Sequence, residues 1–97
     1  MYQINDKIPT QEYRDLQVLK IIKTPKFEIL CISLEGGSQF PEHTSPADAQ
    51  LIVLEGAIDF HINNERFHLK KHQHFDFPRA TAHRVEALEN SKFLIIR

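Results

Sequence analysis

The sequence predicts a single all-β domain, a small barrel or sandwich. Short runs rich in β-branched and aromatic residues recur along the chain, several of them alternate with a period of two, and turn residues punctuate them at close intervals. The chain of 97 residues is long enough for one domain with a usable core and too short for two, so 1–97 is read as one unit.

The elements follow in order. Residues 4–16 hold a short helix or an irregular segment. Val18-Leu-Lys-Ile-Ile22 is a strand ended by the turn signal Thr24-Pro25. Phe27 to Leu34 is a second strand, stopped at Gly36-Gly37. Gln50-Leu-Ile-Val-Leu54 is a continuous apolar run, as expected of a strand covered on both faces, and it stops at Glu55-Gly56. Ala57 to Ile62 alternates, placing Ile58, Phe60 and Ile62 on one face and His61 on the other, toward solvent. Asn63-Asn64 makes a tight hairpin because asparagine tolerates the left-handed conformation, and Arg66 to Leu69 is the return strand. His74-Phe-Asp-Phe77 alternates and is closed by Pro78. His83–Ala87 and Lys92–Ile96 complete the set around a turn at Glu89-Asn-Ser91. Phe27, Phe60, Phe67, Phe75 and Phe77 are read as barrel core.

Composition removes several classes of function. Twelve basic and thirteen acidic residues are interspersed, for a net charge of −1, without the basic excess of a domain that grips nucleic acid. No apolar run approaches the ~20 residues that span a membrane, and Met1–Asp6 lacks the regions of a signal peptide. A cytoplasmic location is expected. Cys31 is the single cysteine; inside an apolar run it is expected to be buried and inert. Lys20, Lys23 and Lys26 around the Thr24-Pro25 turn read as solvated charges, as do Lys70 and Lys71. Ser33, Ser38 and Ser45 show no triad pattern, and no phosphate-binding glycine loop is present. His68, His72 and His74 read as surface residues, although His72 and His74 have the alternate spacing that could chelate an affinity-column metal.

Gly37-Ser-Gln-Phe-Pro-Glu-His43 and, about forty residues later, Pro78-Arg-Ala-Thr-Ala-His83 each present one histidine at a defined distance from a turn residue. With Gly56, these segments resemble the two motifs of the cupins, over about 37–56 and 72–87. The resemblance implies a double-stranded β-helix whose lumen is the pocket. It also implies a homodimer, with Val18–Ile22 assigned to the contact. Of the four metal ligands that the family pattern implies, His43 and His83 remain. Ser45 stands at the second histidine position and Ala49 at the acidic one. In the second motif His72 and Ala80 stand at the two glycine positions, and Ala87 at the terminal asparagine.

A catalytic metal typically takes at least three protein ligands and keeps an open position. Two imidazoles hold a divalent ion weakly, so the expected site is degenerate and no cofactor is expected. A zinc, manganese, iron or nickel ion on His43 and His83 requires a third donor, for which Glu42, Asp48 and Gln50 are the nearby candidates. Two functions are therefore expected from the resemblance. One is a small-molecule-binding or sensory barrel whose unidentified ligand meets His43, Ser45 and His83. The other is a metal-dependent dioxygenase, isomerase or lyase. No catalytic residue is identified.

Overall fold

The computed structural model describes all 97 residues. A short helix α1 (Lys7–Thr10) precedes nine strands: β1 (Leu16–Lys23), β2 (Glu28–Leu34), β3 (Gln39–His43), β4 (Ala49–Glu55), β5 (Ala57–Ile62), β6 (Glu65–Lys70), β7 (His74–Phe77), β8 (His83–Ala87) and β9 (Ser91–Ile96). They form two sheets, of order β1-β2-β9-β4-β7 and β3-β8-β5-β6, with all neighbours antiparallel.

The core lies between the sheets. Leu30, Ile32 and Leu34 of β2 alternate inward, as do Ala49, Leu51 and Val53 of β4. Ile58, Phe60 and Ile62 of β5 answer them from the second sheet, with Val85 and Ala87 of β8. This is the period-two face that the sequence displays. Phe60 and Phe77 belong to this core, and Phe67 and Phe75 pack against it. Phe27 does not: it precedes β2 and is exposed at 43%. Phe40 and Phe93 are aromatic contributors instead.

The outer faces differ. On the five-stranded sheet, Leu19, Ile52, Leu94 and Ile96 are half-buried apolar residues. The N-terminal segment crosses part of this face. Lys92 Nζ donates to Ile8 O (2.6 Å) and Gln11 O (3.1 Å), Ser33 Oγ donates to Glu12 O (2.7 Å), and Gln11 Nε2 donates to Cys31 O (3.0 Å). Cys31 is fully covered, and burial pushes its thiol pKa up despite the nearby Lys92. On the four-stranded sheet the outer face is a charged lattice: His68 Nδ1 meets Asp59 Oδ1 at 2.9 Å, and His61 sits 3.0 Å from Glu86, which also pairs with Arg84. His61 thus faces away from the lumen, as expected, but is half-buried among these charges. No helix is long and apolar enough to cross a membrane.

Three strands carry β-bulges, β4 between Val53 and Glu55 and the two that bear on the lumen, in β1 and β3. In β1 the register jumps between Lys20, opposite Leu30, and Ile22, opposite Ile29. In β3 it jumps between Phe40, opposite Val85, and His43, opposite His83. One extra residue in a strand lets positions i and i+3, normally on opposite faces, share a face. β3 holds Pro41 within its bulge, at the edge of the sheet where a missing N–H breaks no ladder.

Candidate functional site

The lumen opens as a cavity of about 240 Å³ between the sheets. Its walls are mostly apolar, with Phe60, Phe77, Phe93 and Ile95 among them, and its polar groups are His43, Thr44, Ser45, His83 and Arg97. A wider polar groove of about 480 Å³ lies outside the barrel near the Asn63–Asn64 turn; its Glu42, Glu65, Arg66 and Arg84 are of mixed sign and converge on no point.

His83 opens β8, a strand flanked by β3 and β5, and is buried at 3% exposure. Its ring stacks on Phe60 (centroids 5.2 Å, 15°) and tilts against Phe77 (4.5 Å). Its Nδ1 donates to Thr81 O at 2.9 Å. His43 closes β3 and is half-buried, stacked on Phe40 (3.8 Å, 15°) because the bulge turns both inward. Its Nδ1 donates to Pro41 O at 2.6 Å.

A carbonyl oxygen only accepts, so each Nδ1 carries the ring hydrogen and each Nε2 presents a lone pair. The two Nε2 atoms face each other at 3.0 Å. A direct bond between them exists only when the pair holds one extra proton. The His83 pKa is lowered from its ordinary value. Burial is the main cause and the neighbouring His43 adds to it, while the bond to Thr81 opposes. With the proton lost, two acceptors converge on one point of a largely apolar cavity.

The remaining predicted site residues fall elsewhere. Ser45 is buried and lines the lumen, but its hydroxyl is committed to Ala47 O at 2.6 Å. Ala49 is fully buried and offers no donor atom. Asp48 is exposed and accepts from Arg79 N (3.0 Å), Gln50 pairs with His74 on the outer face, and Glu42 is exposed. No three His, Cys, Asp or Glu side chains are grouped closely enough to hold a metal ion. The donor set at the lumen is two imidazoles and a spent hydroxyl, which does not fit a catalytic divalent metal.

One feature was not read from sequence. Arg97 lines the lumen and gives its Nε–H to Glu28 Oε2 at 3.0 Å. The two lie 69 positions apart and meet because Glu28 and Arg97 extend the β2–β9 ladder, exchanging backbone bonds of 2.7 and 3.0 Å. Lys20 and Lys23, read as solvated charges, reach the same Glu28 carboxylate at 3.5 and 3.7 Å.

Comparison with known proteins places this geometry. The family model of the cupin domain matches residues 30–96. No curated protein matches the chain by sequence. Among solved structures, an RmlC-like cupin protein from Desulfovibrio desulfuricans superposes with a TM-score of 0.85 at 18% identity, covering 99% of this chain and 95% of that one. A conserved protein of unknown function from Streptococcus pyogenes gives 0.81 at 22% identity, covering 99% and 86%. An RmlC-like cupin with a double-stranded β-helix fold from Methanocaldococcus jannaschii gives 0.77 at 22%, covering 90% and 85%. These likenesses are ones of fold. With both sheets in place, His43 and His83 facing across the lumen and the family match spanning most of the strands, the chain belongs to the cupin domain family.

Proposed function

We propose that this protein is a non-catalytic small-molecule-binding or sensory barrel built on a degenerate metal site. The observation that carries the reading is the pair of Nε2 atoms at 3.0 Å, each with its Nδ1 spent on a backbone carbonyl. Two converging acceptors in an apolar cavity ask for a donor, and a ligand hydroxyl or N–H meets that need without a third protein ligand. Ser45 shapes the wall beside them. The reading extends to a homodimer through the half-buried apolar outer face of the five-stranded sheet, with β1 at its edge. A cytoplasmic location is part of it, in keeping with a lone thiol that has no partner to oxidise with.

Native mass spectrometry with elemental analysis tests this on tag-free protein purified without chelator. The expected result is a metal-free dimer that takes up small molecules in its lumen. A stoichiometric divalent metal, lost in both His43→Ala and His83→Ala, would replace this reading with that of a metal-dependent dioxygenase, isomerase or lyase. A monomer would remove the dimer.

A further inference from the structure

Beside the lumen lies a cluster of charged side chains around Arg97, which lines the cavity. Glu28 is the single side-chain carboxylate among the cationic side chains of Arg97 (3.0 Å), Lys20 (3.5 Å) and Lys23 (3.7 Å). The bulge in β1 makes this convergence. Lys20 pairs with Leu30 and Lys23 with Glu28, both inward positions of β2, whereas a regular strand would turn one of the two lysines away. Arg97 is only 22% exposed, and its bond to Glu28 uses Nε, leaving the paired amino groups that grip a carboxylate bidentately. The least exposed of these three cationic side chains, Arg97, borders the same cavity as His43 and His83.

We infer that the lumen takes a compact organic anion: a small carboxylate with an apolar body, its carboxylate held by Arg97 and a hydroxyl or N–H at its far end donating to Nε2 of His43 or His83 from the cavity side. This rests on the reading of the lumen as a binding site and names the ligand class. The cavity of about 240 Å³ matches the volume of about eight waters, enough for a ligand of roughly ten non-hydrogen atoms. Phe60, Phe77 and Phe93 face its body; Lys20 and Lys23 attract it from solvent.

Matched acid and amide pairs test the inference, since an amide keeps the shape and loses the charge. The probes are 4-hydroxybenzoate against 4-hydroxybenzamide, and 6-hydroxyhexanoate against its amide. Binding is followed by calorimetry and by amide chemical shifts. At least one acid should bind ten-fold or more tightly than its amide, and added salt should shrink the ratio. Arg97→Gln should erase the preference while the amide still binds; Arg97→Lys should restore part of it. Glu28→Gln, which releases Arg97, should widen it about three-fold. If Arg97→Gln does not fold, Lys20→Gln with Lys23→Gln should reduce the ratio at least three-fold. Equal binding of acid and amide in the unaltered protein would overturn the inference and leave the lumen reading standing. Binding of neither partner in both pairs would overturn both. A preference undiminished in Arg97→Gln would overturn the role of Arg97.

Discussion

Residues 37–56 and 72–87 depart from the family pattern in opposite ways. The first segment keeps its glycines, Gly37 at φ +89° and Gly56 at φ +78°, and has Ser45 and Ala49 where donors stand in the pattern. The second keeps its histidine and proline but has His72 and Ala80 at the glycine positions, and their backbones are left-handed all the same, at φ +71° and +60°. The corners of a barrel dictate the backbone, so the left-handed turn persists after its glycine has gone, at the cost of strain. A donor serves only the ligand, and its loss leaves the fold unmoved. Departures in the first segment therefore bear on chemistry, and those in the second on stability.

Substitutions at the glycine positions test that contrast most strongly. A Cβ on Gly56 would lie 2.4 Å from Asn90 O and Ser91 Oγ, so Gly56→Ala should destabilise by about 3 kcal/mol or more or prevent folding. Gly37 has nothing within 4 Å, so Gly37→Ala should cost only the conformational strain, about 1 kcal/mol. Equal losses in chemical denaturation would show that the corner is not the constraint.

The two histidines come next. His83→Ala opens a cavity between Phe60 and Phe77 and should cost about 2 kcal/mol. His43→Ala, on an edge strand and half-buried, should cost under about 1 kcal/mol. The reverse order would mean that β3 contributes more to the core than its position implies.

In the second segment glycine should help. Ala80→Gly should raise stability by about 1 kcal/mol, and His72→Gly by a similar amount. Lower melting temperatures in both would refute the strain account.

The smallest effect is in pH. Burial lowers the His83 pKa, so the folded state resists protonation there and the unfolded state does not. That stability is fully present above the ordinary histidine value of about 6.5 and is lost as pH falls through the lowered folded value. The melting temperature should decline on acidification below about pH 6.5, and the decline should be shallower in His83→Gln. Parallel profiles would remove His83 as its source.

Most of the strand set was legible because alternation and turn residues mark half-buried strands, as in Ala57–Ile62 and its Asn63-Asn64 hairpin. β3 was not: Gln39, Pro41 and Glu42 give it little strand propensity, and its pairing with β8 is a tertiary fact. The facing histidines were legible through the resemblance of the two segments to the cupin motifs. The Glu28–Arg97 pair was not, because it follows from ladder register, and Phe27 failed as a core residue because it falls one position before its strand begins. The bulges left no signal, since which residue is surplus depends on the partner strand.

The bulge in β3 makes chain length, as well as residue identity, a determinant of what the lumen contains. Removing one residue between Phe40 and His43 would restore regular pairing and leave the two side chains at i and i+2, still on the inner face, whereas pairing the present three-residue step without a bulge would swing His43 to the outside of the barrel. A relative that lacks the bulge keeps the facing pair only if it is also one residue shorter at that point.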